Sequence, residues 1–426
     1  MSLGFVEELS WRGLVQQKTD ERLGALMAAE PLSLYVGFDP TASSLHVGSL
    51  LPVLALKRAQ LAGHRPIALV GGATGMVGDP SGKSEERKLL SADDLAVNQA
   101  GIRAQLERFL DFSPGSGAQL VNNYDWFREL SYLDFLRNVG KLFSVNMMMA
   151  KESVRARLED REQGISYTEF SYMLIQAYDF LHLHRTHGCR LQVGGSDQWG
   201  NIIAGIDLIR REEKAEAFGL TMPLVMTAAG HKFGKSEKGT IWLDAERTSP
   251  YELFQFFLQV EDRDVGRFLR YYTFLDEARV TELDGMVVAA PEKREAQRVL
   301  AREVTTLVHG ADECARAEAA GQALFGGDLS GLDARTIESV FADAPSTEIA
   351  TDAASLSLSL VDLLVQTALA GGKGAARRDI EGGGIYVNNA KIADAATTLG
   401  GKDVLHGRFV VLRKGKRSYH LVKLKA

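Results

Sequence analysis

The stretch that decides the fold is YVGFDPTASSLHVGS, residues 35–49. The apolar run Ser33–Phe38 predicts a buried parallel strand, and Asp39 with the proline after it predicts a turn. A helix then begins near Leu45. Free N–H groups at a helix start favour phosphate, and Gly48 in the first turn lets a ligand approach the backbone closely. The stretch therefore predicts a strand–loop–helix unit that binds a phosphorylated ligand, to which His46 adds a hydrogen-bond donor.

Short apolar runs and longer amphipathic runs alternate through the first half of the chain. Further strands are predicted at residues 66–72, 191–193 and 222–226. Helices are predicted at residues 93–110, 132–138 and 168–183, and from near Asp197 to before Gly219. This alternation predicts an α/β fold with a Rossmann-like, doubly wound parallel sheet that binds ligands at the carboxyl ends of its strands.

Helical patterns dominate after about residue 250. Helices are predicted at residues 250–260, 265–273, 292–309 and 314–324, whereas residues 345–354 lack periodicity and predict a linker. The last part predicts helices at 356–370 and 374–380 and strands at 384–387 and 408–413. We therefore expect four parts: a catalytic domain at 1–228 with a helical insertion, an α-helical domain at 229–344 that starts with a lysine-rich loop, the linker, and a small α+β domain at 355–426.

The charge distribution points to a polyanionic partner for the tail. The chain has a net charge of −6, yet residues 371–426 hold 12 Lys/Arg and 4 Asp/Glu, or +8, which leaves −14 for the rest. A basic end on an acidic body is typical of a nucleic-acid contact. A basic patch that only confers solubility is the alternative.

Composition and cysteine content exclude several other classes. No apolar run approaches the roughly 20 residues that span a bilayer, and the N-terminus lacks a secretory signal, so we expect a cytoplasmic protein without membrane contact. Two cysteines, Cys189 and Cys314, form no disulfide framework. His182, His184 and His187 lack a further ligand and are interpreted as a surface group, so no structural metal is expected.

A second phosphate-binding motif is KFGKS, from Lys232 to Ser236. Two lysines around Gly234 suit a polyphosphate that is held and then released, although a solvated basic turn has the same composition. The segment GDPSGKS at residues 78–84 has only three residues between its glycines, whereas a P-loop needs four, so a Walker-type NTPase is rejected.

The helix at 168–183 carries a polar stripe. Tyr172, Gln176 and Asp179 lie at i, i+4 and i+7 and share a face. A solvated face is the ordinary interpretation, but the flanking residues are apolar nearly all round, which predicts a buried helix. Buried polar groups need partners, and a ligand would supply them.

The two motifs resemble the HIGH and KMSKS signatures of class I aminoacyl-tRNA synthetases, here His-Val-Gly-Ser and Lys-Phe-Gly-Lys-Ser. Residues 35–49, 70–88, 122–126, 164–179, 191–201 and 232–238 resemble bacterial tyrosyl-tRNA synthetases, and the similarity covers essentially the whole chain. The resemblance implies activation of L-tyrosine by ATP, with Mg²⁺ as the nucleotide's counter-ion, and transfer of tyrosine to tRNA(Tyr). It also implies a homodimer.

The resemblance implies roles for individual residues. The tyrosine-binding residues would be Tyr35 and Asp179 at the phenolic hydroxyl, Asp79, Tyr172 and Gln176 at the ammonium group, and Gln198 at the carboxylate. The ATP-binding residues would be Gly37, Asp39, Gly48, Ser49, Gly195, Asp197, Lys232, Lys235 and Ser236. The catalytic residues would be Thr41, His46, Lys83, Arg87, Lys232 and Lys235. The RNA-binding residues would be Lys373, Arg377, Arg378, Lys414, Lys416 and Arg417.

The sequence departs from the family at one signature position. Ser49 replaces the second histidine of the first motif, and Val36 and Pro52 occupy variable positions near the nucleotide. These changes bear on ATP affinity.

Two rivals stay open: a tryptophanyl-tRNA synthetase, and a paralogue that binds RNA or regulates without catalysis. Tyr35 with Asp179 speaks against the first, and intact His46 and lysines speak against loss of activity.

Overall fold

The computed structural model describes residues 3–81, 90–159, 164–236, 239–323, 327, 329, 331–342, 344–415 and 418–425. Contacts group the chain into two compact units. The first comprises Met1–Asp244 and Glu261–Ala296, and the second comprises Ala245–Val260 and Gln297–Ala426. The boundaries that we predicted after residues 228 and 344 stay predictions.

The strands of the described residues are β1 (Gln17–Lys18), β2 (Ser33–Phe38), β3 (Arg65–Val70), β4 (Gln119–Asn122), β5 (Cys189–Gly195), β6 (Phe218–Met222), β7 (Lys235–Ser236), β8 (Gly239–Thr240), β9 (Ser346–Ala350), β10 (Leu358–Ser359), β11 (Ile385–Val387), β12 (Ala390–Ile392), β13 (Thr398–Leu399), β14 (Phe409–Lys414) and β15 (Ser418–Lys425).

The α-helices of the first half are α1 (Phe5–Trp11), α2 (Leu23–Ala29), α3 (Val47–Leu61), α4 (Thr74–Val77), α5 (Ala92–Phe109), α6 (Tyr124–Phe127), α7 (Tyr132–Asn138), α8 (Val145–Met149), α9 (Glu152–Glu159), α10 (Tyr167–His187) and α11 (Trp199–Glu213). Those of the second half are α12 (Pro250–Leu258), α13 (Asp262–Tyr272), α14 (Glu277–Ala289), α15 (Glu295–His309), α16 (Ala311–Ala323), α17 (Ala334–Val340), α18 (Leu360–Gln366) and α19 (Lys373–Glu381). Short 3₁₀ turns cover Gly140–Leu142, Ser196–Gln198, Pro291–Lys293 and Gly401–Asp403. None of the helices described is both long and apolar enough to cross a membrane.

The first unit contains the predicted doubly wound sheet. Its strand order is β1-β6-β5-β2-β3-β4, and all neighbours are parallel except the β1–β6 pair. The chain proceeds outward from β2 to β4 and, on the other side, from β5 to β6. The order therefore reverses between β2 and β5, which is where such sheets bind ligands.

One predicted strand of this sheet was placed wrongly. We expected residues 222–226 to form it, whereas β6 ends at Met222. The apolar run continues past Met222, but Pro223 has no N–H to donate to a ladder, and the chain leaves the sheet there.

The longest helix of the sheet layer, α10, packs closely on α11. Phe180 of α10 is fully buried, and Gly205 of α11 faces it so closely that a Cβ at Gly205 would lie 2.9 Å from the Phe180 ring. The absence of a side chain at Gly205 therefore sets how near the two helices approach. This contact positions the polar face of α10 beside the carboxyl end of β5.

The second unit ends in a five-stranded sheet of order β12-β11-β14-β15-β9. Residues 345–354 were predicted to be an irregular linker, and this was wrong, because β9 lies within them and pairs in parallel with β15. Leu360, Ile380 and Leu412 belong to the core between this sheet and helices α18 and α19. The predicted helix at 356–370 is shorter than expected, because Leu358–Ser359 pair with β13 instead.

Gly205→Val should destabilise the first unit by about 1–3 kcal/mol, because a fully packed helix contact has no room for added methyl groups. Gly285→Ala is the matched control: Gly285 lies inside α14 with nothing within 4 Å of an added Cβ, so alanine should stabilise that helix by about 0.5–1 kcal/mol. The thermal unfolding midpoints of the two variants measure the difference. Equal midpoints would contradict the packing described for α10 and α11.

Candidate active site

A cavity of about 460 Å³ opens at the carboxyl ends of β2 and β5. This is the point at which the strand order reverses. Fourteen of the predicted site residues line it: Tyr35, Gly37, Asp39, Thr41, His46, Ser49, Asp79, Tyr172, Gln176, Asp179, Gly195, Asp197, Gln198 and Lys232. The structure therefore brings together residues that are up to about 200 positions apart in the sequence.

Some predicted residues stand apart from this set. Lys83 and Arg87 lie outside the described residues. Lys235 and Ser236 form β7 with a backbone that is described, whereas their side chains are not. Gly48 lies in the first turn of α3, next to the cavity-lining Ser49.

His46 caps α3. Its Nδ1 accepts the backbone N–H of Ser49 at 3.2 Å, and the Ser49 hydroxyl oxygen lies 3.4 Å from the same nitrogen. Because Nδ1 is the acceptor, the neutral imidazole carries its proton on Nε2. Ser49, the residue that departs from the family, thus fixes the orientation of the signature histidine, whose other nitrogen is a donor.

The two signature motifs are joined through their backbones. Val47 N–H donates to the Ile241 carbonyl at 3.0 Å, and Ile241 N–H donates to the Gly234 carbonyl at 2.9 Å. Gly234 has φ of +97°, a conformation that side chains other than glycine rarely adopt. The start of α3 and the centre of the lysine motif therefore hold a fixed separation.

Lys232 lies on a tight hairpin. Phe233 N–H donates to the Val225 carbonyl at 2.9 Å, and Thr227 N–H donates to the His231 carbonyl at 2.8 Å. The Phe233 ring packs on Phe268 of α13, with centroids 4.1 Å apart. Lys232 itself is exposed and lines the cavity, so its charge is available to a ligand.

Asp39 receives hydrogen bonds from two neighbours. The Tyr172 hydroxyl donates to its Oδ2 at 2.8 Å, and the Thr74 hydroxyl donates to its Oδ1 at 2.6 Å. A Cβ at Gly71 would lie 2.2 Å from Asp39 Oδ1, so only glycine allows this approach. Burial, followed by the negative charge of Asp39, raises the pKa of Tyr172 well above its usual value. Tyr172 therefore stays protonated and acts as a donor.

Asp179 is 1% exposed and receives two side-chain donors. Asn123 Nδ2 donates to its Oδ2 at 3.1 Å, and the Trp126 indole N–H donates to its Oδ1 at 3.0 Å. Burial raises the pKa of Asp179 well above the usual range, while these two hydrogen bonds act in the opposite direction and Asp39 adds to the rise. Asn123 also donates to Thr74 at 3.1 Å, which links Asp179 to Asp39 through two side chains.

Tyr35 lines the cavity near Asp179. Its hydroxyl is buried and has no hydrogen-bond partner among the described residues. Burial, followed by the charge of Asp179, raises its pKa well above 10.0. Gln192 Oε1 is likewise buried without a partner in the described part of the chain. Both residues line the cavity, so a ligand with a polar group near these atoms would satisfy them.

Asp79 and Asp197 also line the cavity. Gln198 Nε2 donates to Asp79 Oδ2 at 2.7 Å, and Ser81 N–H donates to Asp79 Oδ1 at 2.9 Å. Although part of Asp197 faces the open cavity, burial of its carboxyl and the charge of Asp79 raise its pKa, and Lys232 acts in the opposite direction. With Asp39 and Asp179, four carboxyl groups line the cavity, which favours a cationic group on the ligand. No group of His, Cys, Asp and Glu side chains suited to a metal ion occurs among the residues described.

Five polar residues of the site were absent from the sequence prediction: Thr74, Ser81, Asn123, Trp126 and Gln192. Asn123 and Trp126 lie in the stretch 122–126, whose resemblance to the family was noted, so that stretch contained a usable signal. Thr74 and Ser81 lie in the stretch 70–88, and Gln192 lies in 191–201, so the same resemblance covered them. Their local patterns gave no further signal, because a threonine after a Gly-Gly turn and a glutamine inside a strand have many ordinary roles.

The basic residues of the tail are partly neutralised. Lys373 pairs with Asp362 at 2.7 Å, and Lys414 pairs with Asp379 at 2.6 Å. Arg377 and Arg378 on α19 are exposed. Lys416 and Arg417 lie outside the described residues. Among the predicted RNA-binding residues that are described, Arg377 and Arg378 are the exposed cations without an ion pair to another described residue.

The fold and the site together define a class I aminoacyl-tRNA synthetase. A doubly wound parallel sheet carries the His-Val-Gly-Ser motif after β2, and backbone hydrogen bonds hold the Lys-Phe-Gly-Lys-Ser motif beside it. In agreement, the family model for tRNA synthetases class I (W and Y) matches residues 27–326. A second family model, for the tyrosine–tRNA ligase SYY-like C-terminal domain, matches residues 336–422.

The chain belongs to the tyrosyl-tRNA synthetase family. It is 53% identical over 421 residues to the tyrosine–tRNA ligase of Roseiflexus castenholzii, covering 98% of this chain and 99% of the relative. It is also 53% identical over 424 residues to that of Geobacillus stearothermophilus, covering 99% and 100%. Among solved structures, a C-terminally truncated mitochondrial tyrosyl-tRNA synthetase of Aspergillus nidulans aligns with a TM-score of 0.67 and 32% identity, over 74% of this chain and 92% of that one.

Proposed function

We propose that the chain activates L-tyrosine with Mg-ATP to tyrosyl-adenylate and transfers the tyrosyl group to the 3′ end of tRNA(Tyr), with release of diphosphate and AMP. The observation that carries the proposal is a cavity that combines both class I motifs with a buried tyrosine hydroxyl and a buried carboxyl at one end. Membership of the family and this cavity together support the proposal.

The buried end selects tyrosine. The Tyr35 hydroxyl and Asp179 would both hydrogen-bond the substrate's phenolic hydroxyl, which gives the unpartnered Tyr35 hydroxyl its missing contact. Phenylalanine would leave these buried polar groups unpaired, which costs about 1–3 kcal/mol for each group. Selectivity therefore arises from penalising the wrong substrate as well as from binding the right one.

The middle of the cavity would hold the amino-acid head group. Asp79, Tyr172 and Gln176 would bind the ammonium group, and Gln198 would lie beside the carboxylate. The abundance of carboxyl groups in this region supports a cationic substrate group. Gln198 already donates to Asp79 at 2.7 Å, so its amide is oriented before a ligand arrives.

The open end would hold ATP. The nucleotide would contact Gly37, Asp39, Gly48, Ser49, Gly195, Asp197 and Ser236. The tyrosine carboxylate oxygen attacks the α-phosphorus in line, a new O–P bond forms, and the bond to diphosphate breaks. Thr41 and His46 Nε2–H would stabilise the departing phosphates, joined by Lys83, Arg87, Lys232 and Lys235. Catalysis then rests on positioning and on stabilisation of developing charge.

The tail would bind tRNA(Tyr). Lys373, Arg377, Arg378, Lys414, Lys416 and Arg417 are the proposed contacts, and the exposed arginines of α19 support a phosphate interface. We propose that the catalytic part covers residues 1–228 and the helical part 229–344. Because β9 belongs to the tail sheet, the tail begins by Ser346. A cytoplasmic location is part of the same proposal.

Diphosphate exchange into ATP with each amino acid in turn tests the function. Exchange with tyrosine alone is expected. Exchange with tryptophan and not tyrosine would select a tryptophanyl-tRNA synthetase, and exchange with no amino acid would select a non-catalytic RNA-binding protein.

Lys232→Ala should lower the rate of tyrosine activation by about 10²-fold or more while changing tyrosine affinity little, because a contact made mainly in the transition state affects rate and not ground-state binding. Single-turnover adenylate formation and equilibrium tyrosine binding separate the two quantities. Lys214→Asn is the control, since Lys214 follows the far end of α11, about 20 Å from the cavity. Equal losses of rate and affinity in Lys232→Ala would refute the assignment.

Deletion of residues 344–426 should spare adenylate formation and abolish tRNA charging, because the tail sheet, including β9, is then removed as a whole. The full-length variant Arg377→Glu/Arg378→Glu should weaken charging with unchanged exchange, since it reverses the exposed charge on α19. Aminoacylation and exchange assays on both proteins give the comparison. Charging that survives the deletion would disprove the role of the tail.

We also propose a homodimer. Large apolar side chains are exposed between residues 132 and 167, among them Leu133 at 75% and Val145 at 57%, and the hydroxyls of Tyr132 and Tyr167 meet at 3.0 Å. Such a surface favours association. Leu133→Asp should shift sedimentation towards monomer, whereas Val288→Asp, at a residue that is 86% exposed on α14, should not. A wild-type monomer at micromolar concentration would refute the proposal.

A further inference from the structure

His182 lies near the tyrosine end of the cavity without lining it. It follows Asp179 by three positions on α10, so the two side chains share a face of the helix. Sequence reasoning assigned it to a surface histidine group. The structure instead places it half-buried and in contact with aromatic rings.

The imidazole of His182 stacks on the indole of Trp126. The ring centroids are 4.3 Å apart and the planes differ by 17°. The same indole donates its single N–H to Asp179 Oδ1 at 3.0 Å. The direction of that N–H depends on the orientation of the indole plane, so the stack and the hydrogen bond are geometrically coupled.

Trp126 has little support from its own backbone. It belongs to α6, a helix of four residues with no buried side chain. His182 by contrast is anchored in the 21-residue helix α10. It also adjoins the ring of Tyr178, with centroids 6.4 Å apart, and Tyr178 packs against Phe127 and Phe135. A long helix thus presents a flat ring to an indole that stands on a short helix and that also packs against the hydrophobic core of the sheet layer.

We propose that His182 is a positioning residue that sets the preference for tyrosine over phenylalanine by holding Trp126 in hydrogen-bonding contact with Asp179. The inference rests on the proposed function, in which Asp179 recognises the phenolic hydroxyl. Without the stack, the indole gains rotamers in which Asp179 loses a donor, and the carboxyl no longer has a fixed orientation.

The charge state of His182 is compatible with this role. Burial, followed by His187 and Arg185, lowers its pKa below 6.5, so the ring is neutral at pH 7. The neutral imidazole of His182 supports the Trp126 indole by stacking. It places no positive charge near Asp179, the proposed partner of the substrate's phenolic hydroxyl. The contribution of His182 is therefore geometric.

His182→Ala should reduce the ratio of kcat/KM for tyrosine to kcat/KM for phenylalanine by about tenfold, the size expected from losing one hydrogen bond. The loss should lie mainly in KM for tyrosine. His182→Phe keeps a flat ring and should restore the ratio to within about twofold of wild type. His187→Ala is the control, since it removes an imidazole from the same helix without touching Trp126, and should leave the ratio unchanged.

Trp126→Phe, which keeps a ring for stacking and removes the N–H, separates positioning from folding. It should lose selectivity to the same extent as His182→Ala, and the double variant should lose no more than either, because both act through one hydrogen bond. Unchanged selectivity in Trp126→Phe, additive losses, or failure of His182→Phe to rescue would overturn the inference. If wild type does not exchange with tyrosine, the proposed function itself fails. Wild-type exchange with unchanged selectivity in folded His182→Ala refutes only the inference.

Discussion

A carboxyl group buried in the middle of a helix is the constraint on which the buried end of this cavity depends. Asp179 is 1% exposed, and an unsatisfied carboxyl at such a depth would cost several kcal/mol. Asn123 and Trp126 satisfy its two oxygens, and Asn123 continues the chain of hydrogen bonds through Thr74 to Asp39. Elements that follow β2, β3 and β4 are thereby fixed relative to α10. The same bonds that offset the cost of burial give the carboxyl one orientation, which is what recognition of a single hydroxyl requires.

The open end is built on a different principle. There the anchors are backbone groups: the Val47–Ile241 and Ile241–Gly234 hydrogen bonds tie the start of α3 to the lysine motif. The charged atom of Lys232 stands at the surface of this frame. A fixed main chain that carries an exposed lysine suits a polyphosphate, because the polyphosphate enters the site, changes its charge during the reaction and leaves. A buried polar network, in contrast, suits a side chain whose shape does not change during the reaction.

Sequence reasoning reached the sheet and the polar face of α10 because both are local patterns. Short apolar runs located β2, β3 and β5, and the spacing of Tyr172 and Asp179 needed only helical geometry. It failed where long-range pairing decides the structure. β9 alternates between exposed and half-buried residues and is a strand only because β15, about 70 residues later, pairs with it. Trp126 was missed as a site residue for the same reason, since its partner lies 53 positions away.

His182 shows how far the influence of a site extends beyond its lining residues. A histidine near the end of a long helix, followed by two more, has the composition of a solvated group, and no local signal distinguishes it from one. Its stacking partner is supplied by a four-residue helix after β4. Helix α10 therefore contributes to the site twice, once through a carboxyl that lines the cavity and once, a turn later, through a ring that packs on that carboxyl's donor. The orientation of an acceptor that lines the cavity thus depends on packing outside the cavity, because the groups that donate to a carboxyl set its direction.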